Sequence, residues 1–220
     1  DWSSDVCSSD LYGNNWDSDE EAAAYGAAAD GVRPWRADMR RAFAQRVEAL
    51  GRGTRVLELG PGPGLLAECV LQHCPNVASY TVLDFSAPML ALCRKRLTAY
   101  PAARFVQASF KQTQWPEQIE PPVDCVLTMQ AVHELRHKRH AVRLFRQVRE
   151  VLAPGGVLLV CDHLPLDESV RSSTLYMTTD EQCDALTRAG FLNVRVDHAI
   201  NGLTLYAGEK STHTASGACA

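Results

Sequence analysis

The sequence of 220 residues has little of what a membrane-spanning or nucleic-acid-binding chain requires. Its longest apolar runs, such as VLLV at 157–160, are far shorter than the roughly 18 residues that cross a bilayer. Basic and acidic residues nearly balance, with 22 lysines and arginines against 26 aspartates and glutamates. We therefore expect neither a nucleic acid nor an anionic membrane as partner.

Paired cysteine motifs are also missing. The eight cysteines are scattered, and no two of them have the two-residue gap of a zinc knuckle or a redox motif. Cys125 and Cys161 lie in apolar runs, where cysteine usually acts as a small core residue. We expect reduced thiols and a cytoplasmic location.

The first eleven residues, DWSSDVCSSDL, have no helix or strand period and no basic or apolar signal region. Read in frame, a common short-read sequencing adapter translates to the same text. We interpret residues 1–11 as an artefact and expect the native chain to begin near Tyr12, already truncated. Without them the chain loses three aspartates and one cysteine, so its formal charge changes from −4 to −1.

Short apolar runs alternate with helix-like segments through the middle of the chain. The runs are rich in valine and leucine and cover residues 54–60, 79–85, 103–109, 123–129 and 156–162. The stretches between them are long enough for crossovers, and three show apolar residues at helical spacing. This alternation predicts a parallel sheet covered by helices on both faces.

The ends of the chain depart from this alternation. Residues 12–53 contain two predicted helices, which we interpret as a cap or lid, and residues 210–220 form a polar tail that we expect to be disordered. LAPGG at 152–156 predicts a helix stop. Asn201-Gly202 predicts a hairpin between the last two strands.

One more helix is predicted in the sequence DEQCDALTRAGF. It is expected to be capped near Thr179 or Asp180 and to close at Gly190.

The stretch ELGPGPG at 58–64 carries the clearest functional signal. It follows the first predicted strand and opens a helix, and its three glycines let the backbone turn sharply and a ligand approach the main chain. Asp84 ends the second predicted strand, where a carboxylate can accept hydrogen bonds from both ribose hydroxyls of a nucleoside. We expect a nucleoside-containing ligand here.

This pattern fits two cofactors, a nicotinamide dinucleotide and S-adenosylmethionine. A dinucleotide loop reads G-x-G-x-x-G, so that a pyrophosphate sits on the helix N-terminus. This loop reads G-x-G-x-G after Glu58, whose carboxylate would repel a pyrophosphate but could pair with the ammonium of an amino acid. The charge favours S-adenosylmethionine. A nicotinamide-dependent oxidoreductase and a non-catalytic S-adenosylmethionine-binding module remain the alternatives.

An ordered series of segments resembles the class I S-adenosylmethionine-dependent methyltransferases, in their small-molecule branch. The segments are VLELGPGPG, LDFSAPML, DCVLTMQAVHEL and VREVLAPGG, and the match covers roughly residues 20–209. The resemblance implies an α/β domain over 54–209 with a doubly wound, Rossmann-like, seven-stranded sheet, mostly parallel with an antiparallel C-terminal hairpin strand. It also implies S-adenosylmethionine as cofactor and an O, N, S or C nucleophile of a small molecule as acceptor, and it leaves the oligomeric state open.

The resemblance assigns cofactor contacts to the ends of the first four strands. The glycine loop would shape the methionine pocket with Glu58 near the ammonium, and the second strand would hold ribose and adenine. Phe85 and Met89 are also spaced as helix-facing core, and Ser109 replaces the family's usual aspartate. The implied contacts are Glu58, Gly60, Pro61, Gly62, Gly64, Asp84, Phe85, Met89, Ala108, Ser109 and Gln130.

Two histidines and an aspartate are candidates for proton transfer. His133 follows the fourth predicted strand, and Asp162 and His163 follow the fifth, at the sheet edge where open α/β sheets bind ligands. His133 could accept a proton from a substrate hydroxyl or amine, or it could simply pack at a helix start. Asp162 and His163 are the second candidate for a base or a metal pair. With no further ligand at helical spacing, we expect no metal site.

Other charged residues could either bind a ligand or simply lie on the solvent-exposed surface. In the predicted lid, Arg33 or Arg36, near Tyr25 and Trp35, could pair with the methionine carboxylate or an acidic substrate, although surface arginines are the more common case. RHKRH at 136–140 lacks interleaved aromatic residues, so we interpret it as a solvated face rather than an RNA site.

Overall fold

The computed structural model describes residues 15–28, 33–165 and 170–212. The proposed artefact at 1–11 and most of the tail predicted to be disordered lie outside the described residues. The helices are α1 (Asp19–Ala28), α2 (Arg36–Glu48), α3 (Leu65–His73), α4 (Ala87–Arg96), α5 (Ala141–Val151), α6 (Val170–Leu175) and α7 (Thr179–Arg188). The strands are β1 (Arg55–Leu59), β2 (Ser79–Asp84), β3 (Ala103–Gln107), β4 (Val123–Met129), β5 (Leu152–His163), β6 (Leu192–Ile200) and β7 (Leu203–Glu209).

The described strands form one seven-stranded sheet in the order β3-β2-β1-β4-β5-β7-β6. Strands β1 to β5 run parallel to one another, and β7 runs antiparallel to β5 and β6. The predicted fold class is therefore confirmed. At the predicted hairpin, Asn201 and Gly202 both have positive φ angles, 47° and 78°, as a tight two-residue turn between twisted strands requires.

Two local boundaries differ from the sequence prediction. Helix α5 ends at Val151, as LAPGG predicts, but β5 begins at Leu152 rather than 156 because Leu152 already pairs with Val123 of β4. Helix α7 is capped by Thr178 rather than by Thr179 or Asp180. The Thr178 hydroxyl accepts the N–H of Glu181 at 3.3 Å, and the Glu181 carboxylate accepts the N–H of Thr178 at 3.0 Å, which is a capping box.

Apolar side chains cover both faces of the sheet, so successive residues of each strand point into different cores. In β1, Val56 points to the core with α2, α3 and α4, whereas Leu57 points to the core with α5 and α7. Cys125 and Cys161 are fully buried, as expected for small core residues. This layering sets α2 beside α3 on one face, above the carboxyl end of β1.

The surface gives two further observations. Among the helices of the described ranges, none is long and apolar enough to span a bilayer. The last three residues of the basic run 136–140 form a short 3₁₀ turn, Lys138–His140, where Lys138 pairs with Glu181 at 2.6 Å.

Candidate active site

A cleft opens where the carboxyl ends of β1, β2 and β4 meet, and the space in it, counted together with the solvent at its mouth, is about 840 Å³. The cleft is formed there because the parallel strands all end at this edge and the chain leaves each of them in a loop. Eight of the eleven predicted cofactor contacts line it: Glu58, Gly60, Pro61, Gly62, Asp84, Phe85, Met89 and Gln130.

The three loop glycines serve different purposes. All have positive φ angles, 66°, 53° and 82° at Gly60, Gly62 and Gly64. A Cβ at Gly60 would lie 2.6 Å from the Cβ of Ala131, and one at Gly64 would lie 2.7 Å from the Sγ of Cys93. Gly62 faces the cleft more openly. Gly64 therefore permits close packing of α3 on α4, whereas Gly60 and Gly62 shape the wall of the cleft.

Asp84 is tied to the glycine loop from the end of β2. Its Oδ2 accepts the N–H of Gly62 at 3.3 Å, and its Oδ1 accepts the N–H of Ser86 at 3.0 Å. Burial raises the pKa of Asp84 to about 6, although these backbone hydrogen bonds act in the opposite direction. The carboxylate thus stabilises the loop by hydrogen bonds and also lines the cleft.

Glu58 lies almost completely buried beneath the loop, with 1% of its surface exposed. Its Oε2 accepts the hydroxyl of Tyr80 at 2.7 Å. Burial raises the pKa of Glu58 to about 8; the Tyr80 hydrogen bond lowers it in part, and the charge of Asp84 adds to the rise. A cation entering the cleft would be needed to hold this carboxyl ionised at neutral pH.

The end of β3 differs from the expectation. Ala108 and Ser109 do not line the cleft: the N–H of Ala108 extends the ladder to the carbonyl of Asp84 at 3.0 Å, and the Ser109 hydroxyl accepts the N–H of Lys111 at 3.3 Å. Phe110 lines the cleft instead. The aromatic residue that directly follows Ser109 in the sequence could have predicted this side of the cleft.

Gln130 ends β4 in a left-handed backbone conformation, with φ at 57°. A non-glycine residue there is unusual, and such residues cluster at functional sites. Its N–H donates to the carbonyl of Cys161 at 2.7 Å, and its side-chain amide donates to Nε2 of His163. The turn thereby fixes Gln130 between the cleft and the end of β5.

His133 and Asp162 meet at the carboxyl ends of β4 and β5. The Nδ1–H of His133 donates to Oδ1 of Asp162 at 2.7 Å, and the backbone N–H groups of His133 and His163 also donate to this carboxylate, at 3.0 and 2.8 Å. Burial opposes protonation of the imidazole, but the charge and hydrogen bond of Asp162 outweigh it and raise the pKa of His133. Burial alone would raise the pKa of Asp162, and the same pairing lowers it instead.

His163 lies beside this pair in a different electrostatic setting. Burial lowers the pKa of His163 to about 4, although Asp162 acts in the opposite direction, and the charges of Arg33 and Arg36 lower it further. Nη1 of Arg33 lies 3.5 Å from its Nε2. His163 is therefore neutral at physiological pH and is poorly suited to serve as the base. The ring of Tyr176 lies 5.4 and 5.7 Å from the rings of His133 and His163.

The N-terminal segment borders the cleft as well. Trp16, Tyr25, Arg36 and Arg40 line it, whereas Trp35 packs near the start of α2 and does not. The Trp16 indole donates to Oε1 of Glu134 at 3.4 Å, its carbonyl accepts the hydroxyl of Ser86, and its ring meets Tyr25 edge-on at 5.1 Å. Sequence reasoning missed Trp16 and Arg40, since nothing in the local pattern shows that they reach the glycine loop.

The strands that form this cleft lie in a part of the chain that matches a known family of sequences. Residues 56–156 match the sequence profile of the methyltransferase domain. This segment of the chain therefore carries a methyltransferase domain, in agreement with the resemblance to the class I S-adenosylmethionine-dependent methyltransferases. The match supports the predicted family and gives no support to the nicotinamide alternative.

Individual relatives agree with this assignment. The chain is 38% identical over 111 residues to trans-aconitate 2-methyltransferase of Methylobacterium nodulans, which is half of this chain and 39% of that protein. The chain spans less than half the length of the curated relatives it matches.

Solved structures share the fold. Human N-acetylserotonin methyltransferase, in complex with S-adenosylmethionine, superposes with a TM-score of 0.72 at 18% identity, over 94% of this chain and 61% of that one. An O-methyltransferase family protein from Burkholderia thailandensis gives a TM-score of 0.72 at 18% identity, over 88% and 60%.

The described part of the chain shows no cluster of potential metal ligands. Across residues 15–28, 33–165 and 170–212, no three histidine, cysteine or carboxylate side chains are grouped so as to hold a metal ion. Asp162 and His163, the second sequence candidate for a metal pair, instead meet His133 and Gln130.

Proposed function

We propose that this protein transfers a methyl group from S-adenosylmethionine to a hydroxyl oxygen of a small molecule, with His133 as general base. The observation that carries the proposal is the hydrogen bond from His133 to Asp162 at 2.7 Å, at the edge of the sheet beside the cleft. Nδ1 is occupied by this bond, so Nε2 is the nitrogen that can accept a proton.

The residues of the cleft fit the cofactor. Asp84 offers a carboxylate for the ribose hydroxyls, Phe85 and Phe110 offer apolar walls for adenine, and Glu58 offers a buried carboxyl for the ammonium. When bound, S-adenosylmethionine supplies an electrophilic methyl group. A predominantly apolar cleft with a few placed polar groups is typical of small-ligand sites.

The chain's own residues would do three things. His133 would take the hydroxyl proton, and Asp162 would hold the imidazole in the tautomer with its proton on Nδ1 and stabilise the imidazolium. Trp16 and Tyr25, in contact with each other at the cleft, would keep water from the reacting atoms, which is the lid role proposed for residues 12–53.

An acceptor that is already anionic is the second candidate. The 38% identical relative is named for methylating trans-aconitate, a polycarboxylic acid, and a carboxylate needs no base. The positive charges of Arg33 and Arg36 act on His163 at the end of β5 and would also attract an anionic acceptor there. In that case His133→Ala would leave turnover largely intact.

Binding measurements test the cofactor first. Titration calorimetry with S-adenosylhomocysteine and NAD should detect binding of the first alone. If S-adenosylhomocysteine does not bind even at high micromolar concentration, the methyltransferase function fails. Methyl transfer from labelled S-adenosylmethionine into an extract of small metabolites would then identify the acceptor, and absence of transfer would favour the non-catalytic binding module.

Substitution of the base tests the mechanism. His133→Ala should lower the rate of hydroxyl methylation by about 10²- to 10⁴-fold while leaving the Kd for S-adenosylhomocysteine unchanged. His73→Ala, on the exposed side of α3, serves as the matched control. Loss of cofactor affinity in the His133 variant, or full activity on a neutral hydroxyl, would contradict the assignment.

A cytoplasmic location is proposed as well. It is supported by the cysteines of the described residues, all six of which are free thiols. Fractionation of the producing cells would check it.

A further inference from the structure

We propose that Glu134 is a positioning residue that links the N-terminal lid to the base, an inference that rests on the proposed function. Its Oε1 oxygen accepts the indole N–H of Trp16 and faces Nε2 of His133. The seating of Trp16 thereby sets how readily His133 takes up the acceptor proton.

The turn that follows β4 places Glu134 beside the base. This short 3₁₀ turn covers Val132–Leu135. In it, both the backbone N–H and the Nδ1–H of His133 donate to the Asp162 carboxylate, which holds the ring from the side of β5. Nε2 is therefore directed away from Asp162, and Oε1 of Glu134 lies 3.9 Å from it. Since Glu134 also lines the cleft, its carboxylate borders both the cleft and the atom that receives the proton.

Trp16 reaches the same carboxylate oxygen from the other end of the chain. Its indole N–H donates to Oε1 of Glu134 at 3.4 Å, across 118 residues of sequence. Two further contacts hold Trp16 there: its carbonyl accepts the hydroxyl of Ser86, and its ring meets Tyr25 edge-on. Because one oxygen faces both the indole and the imidazole, a change at Trp16 alters the surroundings of His133.

The charge of Glu134 acts on groups at both sides of the cleft. Burial lowers the pKa of His133, whereas the charges of Asp162 and Glu134 raise it, and the net effect is a rise. Arg136 acts against them, and its Nη2 lies 3.2 Å from Oε2 of Glu134. Burial also raises the pKa of Asp84, and the charge of Glu134 adds to that rise. The two oxygens of Glu134 thus have different partners.

Other charged or titratable neighbours of the base come from different elements. His163 ends β5, and its ring lies 6.1 Å from that of His133. Burial lowers the pKa of His163 to about 4, so this ring is neutral, and Arg33 lies 3.5 Å from its Nε2. Tyr176 follows α6 and places its ring 5.4 Å from the ring of His133. In the described part of the chain, Glu134 is the carboxylate that faces Nε2.

This arrangement bears on the proton transfer itself. As the acceptor oxygen gains the methyl group, its O–H bond breaks and the proton moves to Nε2 of His133. The resulting imidazolium has Asp162 at Nδ1 and Glu134 near Nε2, and an opposite charge at this distance favours the protonated form. While Trp16 donates to Oε1, the indole takes up part of that attraction, so His133 can also release its proton for the next turnover.

Titration of the histidine rings tests the link in the full chain. The histidines are isotope-labelled at Cε1 and followed by NMR as the pH varies, and the signal missing from His133→Ala identifies His133. In Glu134→Gln, whose amide oxygen still accepts the Trp16 bond, His133 should titrate at a lower pH than in the wild type, because a charge that favours the imidazolium is gone. Glu117→Gln, exposed on another 3₁₀ turn, should leave the titration unchanged. An unchanged signal of His73 on α3 shows that each variant is folded.

A second substitution tests the lid side of the link. In Trp16→Phe an aromatic ring remains in the cleft but donates no hydrogen bond, so Oε1 acts on Nε2 without competition. His133 should then titrate at a higher pH than in the wild type. The same substitution made together with Glu134→Gln should cause no further shift. Trp35→Phe, in the core near the start of α2, serves as the matched control.

The outcomes separate this inference from the proposed function. If His133 titrates alike in the wild type and in Glu134→Gln, the carboxylate does not act on the base and the link is overturned. If Trp16→Phe leaves the titration unchanged, or shifts it equally with and without Glu134, the link is likewise overturned. In both cases cofactor binding and the need for His133 in methyl transfer, which are measured separately, still stand. If His133→Ala keeps full activity on a neutral hydroxyl, the proposed function fails and this inference fails with it.

Discussion

Cofactor binding should release a proton from Glu58. In the free protein burial raises the pKa of Glu58 to about 8, so this carboxyl is protonated below that pH. Pairing with the ammonium of the cofactor requires the ionised form. Binding near neutral pH must therefore expel the proton into solution.

The size of the effect follows from the pKa. With a value of about 8, Glu58 carries roughly 0.9 proton near pH 7, and the cofactor amine takes up about 0.1, so a net release of roughly 0.8 proton is expected. Affinity should rise about ninefold between pH 6 and 7 and level off near pH 8. Asp84, whose pKa is about 6, should add a smaller proton release at the lower end of this pH range.

The same shift acts on stability in the free protein. Because folding raises the pKa of Glu58 from 4.5 to about 8, its contribution to the free energy of unfolding is largest below the lower value and is lost as the pH rises through the upper one. Cofactor binding should restore stability in this range. Thermal melts with and without S-adenosylhomocysteine would therefore diverge as the pH increases.

Calorimetry in buffers of different ionisation enthalpy measures the released proton directly. Glu58→Gln should abolish the release and weaken binding, whereas Glu150→Gln, on the exposed side of α5, should change neither. If the wild type releases no proton near pH 7 and its affinity is flat from about pH 6 to 8, Glu58 does not ionise against the ammonium, and the reasoning is refuted.

Three other substitutions test the surroundings of the site. Asp162→Asn should lower kcat and shift the acidic limb of the pH–rate profile downwards, because His133 loses the charge that raises its pKa; an unchanged profile would exclude a positioning role. Gly64→Ala should lower the free energy of unfolding by about 1–3 kcal/mol, since its Cβ would meet Cys93 at 2.7 Å and its φ is positive; equal denaturant midpoints would contradict this. Thr178→Ala should cost about 1 kcal/mol by removing the cap of α7, with activity retained, as chemical denaturation would check.

The site residues that could be predicted from the sequence are those that lie close together in it. The loop 58–64 and Asp84 could be found because a strand, a glycine turn and a helix follow one another locally, and Asp84 ends the next strand. Ser109 was placed in the cleft by family resemblance alone. Because successive residues of a strand point to opposite faces, a shift of one residue changes which side chain enters the cleft. In this structure it is the side chain of Phe110.

Residues from distant parts of the chain could not be predicted as partners. Trp16 meets Ser86 and Glu134 across separations of 70 and 118 residues, and no local pattern encodes such a contact. The sequence around Arg40 does not distinguish it from an arginine on the protein surface. Only the packing of α2 beside α3 turns it into the cleft.

Local sequence patterns were sufficient to predict the alternation of strands and helices, the hairpin at Asn201-Gly202 and the glycine loop, because these depend on side-chain period and on backbone conformations that few residues adopt. The tertiary structure alone decided that β7 lies between β5 and β6, since the hairpin can add to the sheet by either strand. It also decided that His133 meets Asp162 while His163 stays neutral. Burial and charge at that edge depend on which strands are neighbours, and a linear pattern does not contain that information.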